Sequence, residues 1–347
     1  MKKIIYLNRI YENICAFTPI LKNKKFFAVV KSNAYGHNIK KVVTFLEKKA
    51  KQDKILNQKL LGYCVKDFEE AQKISKLTNR DILILIEPLK YYLKKIKNYK
   101  NIYPTVYSLE DLKIAIKHNI PFHIKIDTGM TRLGFYPREF LGLKNTLYKN
   151  INLIKGIFSH LSCADTDKSF TLKQYKTFIK LTKDLKRKNK NILLHLENSF
   201  GSLYNLKNLD AARIGLFLYF FKRQAMEVYS YLLQTKWARY FQKVSYCGTY
   251  KVKNKEYLGV VFVGYNEGIF RSASNKAYFL IKGKKAHIRG NVCMNLIIVS
   301  LPNKFIKRGD KVEILSEKHN LNYWSKILKT IPYEILTSIK GKETFIE

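Results

Sequence analysis

Eight short apolar runs occur in the first two thirds of this chain of 347 residues, and helix-like segments separate most of them. The runs are Phe26–Val30, Leu60–Cys64, Ile82–Ile86, Ile102–Val106, Phe122–Ile126, Leu153–Phe158, Ile192–Leu196 and Ala211–Leu216. A strand that alternates eight times with a helix is typical of a (β/α)8 barrel of the TIM type. The sequence therefore predicts an α/β fold class, with this barrel over residues 1–222.

The pattern changes after residue 222 to short segments of alternating apolar and polar residues that are bounded by turn residues. Examples are Tyr257–Tyr265, Ala277–Lys282 and Leu296–Leu301. Such segments are typical of antiparallel strands. We therefore expect a smaller, mainly antiparallel β domain over residues 223–347, and the chain is long enough for both domains.

The formal net charge of +39 suggests a polyanionic partner, such as a nucleic acid or an anionic membrane surface. The distribution of the charge argues against both. Most of the 65 basic residues are lysines spread over nearly every helix-like segment, as in Lys40-Lys41 and Lys94-Lys95, rather than clustered on one element. They indicate the solvated outer faces of amphipathic helices, so we expect neither a nucleic-acid nor a membrane partner.

Compartment and metal content are predicted from what the sequence lacks. No apolar run approaches the roughly 20 residues that span a bilayer, and the amino terminus has no signal-peptide pattern, so we expect a cytoplasmic protein. The five cysteines are scattered, without ligand spacing, and predict neither a zinc site nor a disulfide framework; they are Cys15, Cys64, Cys163, Cys247 and Cys293. No other metal site is expected.

Polar residues follow several of the predicted strands at their carboxyl ends, which is where TIM-type barrels carry their chemistry. They are Lys31, Asp127 to Arg132, His160, His195 to Ser199, and Arg213. A lysine at the end of a buried strand is either solvated or partly desolvated, and desolvation would make it a nucleophile. An arginine within an apolar strand needs a partner. These residues predict an active site at one end of the barrel.

Nine segments resemble motifs of the alanine racemases, in order and over nearly the full chain. They are Ala28-Val-Val-Lys31-Ser-Asn-Ala-Tyr35-Gly-His37, Lys125-Ile-Asp-Thr-Gly-Met-Thr-Arg132-Leu-Gly134, Phe158-Ser-His160-Leu-Ser-Cys-Ala-Asp165, His195-Leu-Glu-Asn198-Ser199, Ala211-Ala-Arg213-Ile-Gly215-Leu216, Val244-Ser-Tyr246-Cys-Gly-Thr-Tyr250, Gly264-Tyr265-Asn-Glu-Gly-Ile-Phe-Arg271, Gly290-Asn-Val-Cys-Met294-Asn295 and Pro332-Tyr333-Glu-Ile-Leu-Thr. The resemblance implies an isomerase that depends on pyridoxal 5'-phosphate (PLP) and supplies D-alanine for cell-wall peptidoglycan.

The resemblance also implies roles for single residues. Lys31 would hold PLP as a Schiff base and act as one catalytic base, and Tyr246 from the partner subunit of a homodimer would act as the second. The other implied PLP contacts are Tyr35, Arg132, His160, Ser199, Arg213, Gly215, Leu216 and Tyr333. Arg132 and Met294 would bind the substrate carboxylate, and Tyr265, Arg271 and Asp165 would line the entrance. In some family members the lysine equivalent to Lys125 is carbamylated and braces the arginine.

The chain departs from the family pattern at four of these motif positions, with Asn38, Phe220, Asn291 and Asn295. The asparagines at 291 and 295 replace a charged arginine and aspartate, so they put rate and substrate range in doubt more than reaction type. Three alternatives follow: an amino-acid racemase of broader specificity, a non-catalytic PLP-binding protein of the same fold, and a basic protein that binds RNA or membranes.

Overall fold

The larger sheet consists of parallel strands that come from the eight predicted apolar runs. The computed structural model describes every residue from 1 to 347. After β1 (Lys2–Tyr6), the strands of this sheet are β2 (Lys25–Val29), β3 (Leu60–Val65), β4 (Asp81–Ile84), β5 (Ile102–Tyr103), β6 (Thr105–Val106), β7 (Phe122–Lys125), β8 (Ile154–Phe158), β9 (Leu193–His195) and β10 (Ala211–Ile214). Their side chains are almost all buried on both faces, as expected for a parallel sheet covered by helices.

The sheet closes on itself, because its two outermost members are two halves of one interrupted strand. The order of the strands is β5-β4-β3-β2-β10-β9-β8-β7-β6, and only Pro104 separates β5 from β6 along the chain. Proline has no N–H to donate to a ladder, so it interrupts the fourth predicted strand and raises the strand count from eight to nine. The prediction of a (β/α)8 barrel is confirmed.

The helices follow the strands as the alternating pattern predicts. They are α1 (Leu7–Phe17), α2 (Lys31–Gly36), α3 (Ile39–Gln52), α4 (Lys54–Lys59), α5 (Phe68–Ser75), α6 (Leu93–Ile96), α7 (Leu109–Lys117), α8 (Pro137–Gly142), α9 (Lys144–Lys149), α10 (Lys168–Lys188), α11 (Leu216–Tyr219), α12 (Leu321–Leu328) and α13 (Pro332–Ser338). Ser108 caps α7, since its hydroxyl accepts the Asp111 N–H at 3.1 Å. None of the helices is both long and apolar enough to cross a membrane.

The smaller unit is built on antiparallel strands. These are β11 (Met226–Ala238), β12 (Lys243–Val244), β13 (Tyr250–Lys251), β14 (Glu256–Val261), β15 (Tyr278–Ile281), β16 (Lys284–His287), β17 (Ile297–Ser300), β18 (Lys311–Leu315) and β19 (Lys342–Ile346). The long strand β11 contacts β1, β14 and β18 and joins the two halves of the sheet. The prediction of a mainly antiparallel β unit is confirmed.

The first residues of the chain belong with this second sheet. Strand β1 pairs antiparallel with β11 and parallel with β19. Both partner strands lie more than 220 residues further along the chain than the β1 residues that they pair with. The two compact units therefore alternate along the sequence. The barrel unit holds residues 13–34 and 38–218, and the smaller unit holds residues 1–12, 35–37 and 219–347. A domain boundary between residues 222 and 223 stays a prediction.

The barrel unit contains a buried ion pair between Lys24, directly before β2, and Glu197, after β9. The Lys24 Nζ lies 2.6 Å from the Glu197 Oε1, and both side chains are buried. Burial raises the pKa of Glu197, while the ammonium of Lys24 and the Leu206 N–H act to lower it. The second carboxylate oxygen has no hydrogen-bond partner. The charge of the buried carboxylate is therefore compensated by Lys24.

We expect the Lys24→Met substitution to lower the free energy of unfolding by about 3–5 kcal/mol, because it leaves a buried carboxylate without its counter-ion. The double variant Lys24→Met/Glu197→Leu should regain most of this loss, since it removes both charges. Urea unfolding followed by circular dichroism measures both effects. A single variant as stable as the wild type would contradict the interpretation.

Candidate active site

Lys31 follows the buried strand β2 at its carboxyl end. The strand ends at Val29, and the Val30 N–H still donates to the Cys64 carbonyl at 2.9 Å before α2 begins at Lys31. Burial lowers the pKa of the Lys31 amine, and the positive charge of Arg132 lowers it further. A lowered pKa raises the fraction of neutral amine, which is the nucleophilic form. The desolvated alternative considered for this lysine is therefore the one that the structure favours.

The segment after Lys31 is a left-handed turn. The φ angles are +54° at Ser32, +54° at Asn33, +55° at Ala34 and +52° at Tyr35, and Gly36 follows with +79°. A left-handed conformation costs roughly 1–2 kcal/mol for each residue with a Cβ atom. Such a segment persists only where its surroundings determine it, and it is a common feature of functional sites.

Glu70 is the side chain that holds this turn within the barrel unit. The Asn33 N–H donates to Glu70 Oε1 at 2.8 Å, and the Lys66 N–H donates to Glu70 Oε2 at 3.1 Å. Asn33 in turn accepts the Ile39 N–H through its Oδ1 at 2.9 Å, which links the turn to the start of α3. Glu70 is buried although it carries a carboxylate. Sequence reasoning missed this residue, because it reads as an ordinary acidic residue in the first turn of α5.

The Arg132 loop is organised by Asp127. The Asp127 carboxylate accepts the N–H groups of Gly129 at 2.9 Å, Met130 at 2.8 Å and Arg132 at 2.8 Å. Burial acts to raise the pKa of Asp127, but these hydrogen bonds outweigh it and leave the pKa lowered. The Arg132 side chain is exposed, so its guanidinium is available to a ligand that carries a carboxylate or a phenolate oxygen.

Lys125 is a second buried lysine near this loop. Burial and the positive charges of Arg132 and Arg213 lower the pKa of Lys125 to about 7. Its amine is therefore partly neutral near neutral pH. A neutral buried amine is also the form that reacts with carbon dioxide, which is the chemistry implied for this position by the sequence resemblance.

Arg213 has the partners that its burial demands. Its Nη1 donates to the His195 carbonyl at 2.7 Å and to the His195 Nδ1 at 3.0 Å, and its Nη2 donates to the Ser159 carbonyl at 2.6 Å. The Nη2 also lies 3.4 Å from the His160 Nδ1. Burial lowers the pKa of Arg213 to about 10, so the guanidinium is charged at neutral pH. Burial, and after it the charge of Arg213, hold the pKa of His160 well below its usual range.

Ser199 and the end of β10 form a cluster of small polar groups. The Ser199 Oγ accepts the Gly215 N–H at 3.1 Å and the Phe217 N–H at 3.4 Å. Leu216, the other predicted residue, begins α11 at the same place. All of these residues are buried. Because the Ser199 Oγ accepts two N–H groups, its own O–H is left to donate, and a hydroxyl donor at such a turn is suited to bind a phosphate. Phe217 was not predicted, because the family motif ends at Leu216.

The smaller unit contains the remaining predicted residues. The Tyr35 ring lies 5.7 Å from the Tyr333 ring, centroid to centroid. Tyr265, Arg271 and Met294 are exposed, and the Tyr265 N–H donates to the Cys293 carbonyl at 3.0 Å. The two loops that carry the predicted entrance and carboxylate contacts are therefore adjacent. Asp165, in the barrel unit, is exposed.

Comparisons with known proteins agree with this arrangement. Residues 5–223 match the amino-terminal domain family of alanine racemases, and residues 225–345 match the carboxy-terminal domain family. An alanine racemase of Borreliella burgdorferi is 31% identical over 360 residues, which cover 97% of this chain and 94% of that protein. The chain belongs to the alanine racemase family. The predicted family and the predicted racemase activity are thereby confirmed.

Two solved alanine racemase structures show the same fold. That of Clostridium difficile has a TM-score of 0.84 at 27% identity and covers 99% of this chain and 95% of its own. That of Bartonella henselae, described as having covalently bound pyridoxal phosphate, has a TM-score of 0.83 at 25% identity and covers 99% of both chains. The likeness thus extends over both units.

The Tyr246 segment shows what one departure from the alanine racemase pattern does. The side chain of Tyr246 is 70% exposed, while its backbone is fixed. The Asn291 Nδ2 donates to the Tyr246 carbonyl at 2.9 Å, and the Ser245 hydroxyl donates to the Asn291 carbonyl at 2.6 Å. Asn291, which replaces an arginine of the family motif, therefore braces the segment that carries Tyr246.

The second departure, Asn295, also has a partner. Its Nδ2 donates to the Glu267 Oε1 at 2.9 Å. An aspartate here, as in the alanine racemase motif, would place two carboxylates in contact, and like charges repel. The asparagine and Glu267 are therefore matched to each other in this chain.

We expect the Glu70→Ala substitution to lower the free energy of unfolding by about 1–3 kcal/mol, because two backbone N–H groups lose their acceptor. Racemase kcat should fall by roughly tenfold, since the turn that aims Lys31 loses its support. Urea unfolding and steady-state kinetics measure the two effects. Glu69→Ala is the matched control: Glu69 is exposed on the same helix, so we expect a change within about 0.5 kcal/mol. Equal effects of the two substitutions would contradict the role of Glu70.

The pKa of Lys125 predicts a pH dependence of stability. Its folded-state pKa of about 7 lies below its ordinary value of 10.5, so the unfolded chain binds more protons between these two pH values. The free energy of unfolding should therefore rise with pH across this window, with a contribution of up to about 1.4 kcal/mol per pH unit from this group. Urea unfolding in buffer free of carbon dioxide, compared with Lys125→Met, measures that contribution. Identical slopes for the two proteins would refute it.

Proposed function

We propose that this chain interconverts L-alanine and D-alanine by a PLP-dependent mechanism with two bases, of which Lys31 is one and Tyr246 of a partner subunit is the other. The observation that carries the proposal is the Lys31 amine, which burial and the charge of Arg132 hold at a lowered pKa at the carboxyl end of a barrel strand. An ordinary surface lysine would have neither feature.

The residues of the barrel unit fit PLP at three points. Lys31 offers a nucleophilic amine to its aldehyde. Ser199, whose Oγ already accepts the N–H groups of Gly215 and Phe217, offers its own O–H as a donor to the phosphate. Arg213 offers its Nε–H, the one nitrogen of its guanidinium that makes no hydrogen bond in the structure. A donor-only group suits an unprotonated ring nitrogen. Tyr35, Arg132, His160, Leu216 and Tyr333 complete the proposed set of contacts.

When bound, PLP supplies the electron-withdrawing system that makes the Cα proton of the amino acid acidic. Arg213 limits this withdrawal, because its fixed positive charge disfavours protonation of a neighbouring ring nitrogen. Weaker withdrawal of electrons from Cα favours the return of the proton to Cα over transamination. Arg132 and Met294 would hold the substrate carboxylate, and the exposed guanidinium of Arg132 is suited to that contact.

Racemisation requires a proton to leave one face of Cα and return on the other, so one base on each face is needed. Lys31 can serve one face only. Tyr246 is proposed for the other, because its backbone is braced by Asn291 while its side chain projects from its own unit with 70% of its surface exposed. A homodimer in which each chain supplies Tyr246 to its partner would use this exposed side chain.

Several finer points belong to the same proposal. Alanine is proposed as the substrate, and Tyr265, Arg271 and Asp165 as residues that line the entrance. We also propose that the enzyme acts in the cytoplasm and supplies D-alanine for peptidoglycan. A racemase of broader specificity would be distinguished by comparable rates on serine or lysine, and a non-catalytic PLP-binding protein by cofactor absorbance without proton exchange.

We expect the purified protein to absorb as a PLP enzyme and to exchange the Cα proton of both alanine enantiomers for deuterium in D₂O. Lys31→Ala should abolish exchange of both enantiomers, because Lys31 is also proposed to hold PLP. Tyr246→Phe should impair chiefly the exchange of one enantiomer, because Tyr246 serves one face of Cα. Proton NMR of the Cα position measures exchange. Cofactor absorbance without exchange of either enantiomer would favour the non-catalytic alternative.

Mixing two variants that each lack one of the two proposed bases tests the shared site. In a hybrid of Lys31→Ala and Tyr246→Phe chains, one of the two sites contains both Lys31 and Tyr246. After dissociation and reassociation at equal amounts, half of the dimers are hybrids, so we expect about a quarter of wild-type activity. Activity no higher than the sum of the separate variants would show that Tyr246 acts within its own chain or not at all.

A further inference from the structure

Two histidines that have no assigned role form a chain of hydrogen bonds with Arg213 in the barrel interior. The His195 Nδ1 lies 3.0 Å from the Arg213 Nη1, and the His195 Nε2 lies 2.9 Å from the His123 Nδ1. His195 is fully buried and His123 is 1% exposed. Room for the second ring depends on Gly156, since a Cβ atom there would lie 2.4 Å from the His123 Nδ1. The three side chains are thus continuous from Arg213 into the core.

The positions of the protons on these three hydrogen-bonded side chains follow from the donors and acceptors that each side chain has. A guanidinium has five N–H donors and no acceptor, so the His195 Nδ1 that faces it must be unprotonated. A neutral imidazole then carries its proton on Nε2, and this N–H donates to the His123 Nδ1. His123 must therefore also carry its proton on Nε2. That atom is buried and has no hydrogen-bond partner, so the series of hydrogen bonds ends at the His123 Nε2.

No other arrangement satisfies the contacts. A second proton on His195 would oppose its Nδ1–H to the N–H of Arg213, and a second proton on His123 would oppose two N–H groups to each other. The charged groups that act on the pair are Arg213 and Lys155, both positive. The neighbouring rings, which belong to Phe27, Phe158 and Tyr103, contribute no negative charge. Burial also lowers the pKa of His123 to about 3.

We propose that His195 and His123 form a neutral relay with both protons on Nε2, in which His123 is the positioning residue that fixes His195 and, through it, the guanidinium of Arg213. The relay cannot conduct a proton away from Arg213, because its last N–H has no acceptor. Arg213 therefore keeps both its charge and its orientation throughout the catalytic cycle. The catalytic consequence rests on the proposed function, whereas the proton positions do not.

Nitrogen NMR of the holoenzyme with ¹⁵N-labelled histidine tests the proton positions directly. The chain has seven histidines, so assignment by substitution is practical. We expect His123 and His195 to give the pattern of the neutral tautomer protonated at Nε2, unchanged between pH 5 and pH 9. A proton on Nδ1 of either ring, or titration of either ring in this range, would overturn the relay whether or not the protein is a racemase.

Two substitutions at His123 separate positioning from packing. The change His123→Gln retains an acceptor oxygen, and the change His123→Phe retains ring volume without an acceptor. In His123→Phe we expect the His195 tautomer to be kept, because Arg213 determines it, but the His195 Nε2–H loses its acceptor and the ring its fixed orientation. We therefore expect a kcat about tenfold lower with KM changed less than twofold, and more pyruvate formed per racemisation. In His123→Gln we expect the single His195 tautomer and most of the kcat to be kept.

If His123→Phe folds poorly, the wild-type spectra still test the proton positions, and His123→Gln still tests whether His123 positions His195. An unchanged kcat and an unchanged pyruvate yield in folded His123→Phe would make His123 a packing residue and overturn its positioning role. Equal losses in the two variants would do the same. A wild type with the expected tautomers but no exchange of alanine protons would refute the proposed function and leave the relay standing.

Discussion

The buried positive charge of Arg213 is the constraint on which the barrel site depends. A guanidinium that is 4% exposed needs oxygen and nitrogen acceptors around it, and the carbonyls of Ser159 and His195 supply them from the ends of two neighbouring strands. The same charge acts to lower the pKa values of Lys31, Lys125 and His160. One residue thus contributes to the local packing and, in addition to burial, to the lowered pKa values of the groups near it.

This arrangement explains how a chain with a net charge of +39 can use lysine as a neutral group. Most of its lysines lie on exposed helix faces, where water keeps them charged. Lys31 is partly buried and Lys125 is buried, and both lie among other cations. Both effects favour the neutral amine. The composition of the chain therefore says little about its function, while the burial of these two lysines says much.

The sequence was sufficient to predict the barrel, the β unit and the strand ends at which Lys31, Arg132, His160, Ser199 and Arg213 lie. These features depend on apolar periodicity and on short motifs, both of which are local. The sequence could not predict that β1 pairs with β11 and β19, because such pairing depends on residues more than 220 positions apart. Nor did it reveal Glu70 or His123. Each acts through a contact between distant residues, and neither has an unusual neighbourhood in the sequence.

The left-handed turn after Lys31 has a consequence for the entropy of the reaction. Glycine would adopt the positive φ angles at least cost, yet only the last of the five positions is glycine. The other four residues narrow the range of conformations open to this segment in the unfolded chain, and Glu70 fixes the folded turn through the Asn33 N–H. The free-energy cost of ordering the lysine is thereby met once, when the chain folds. A substrate that reaches the site does not have to immobilise its nucleophile again at each turnover.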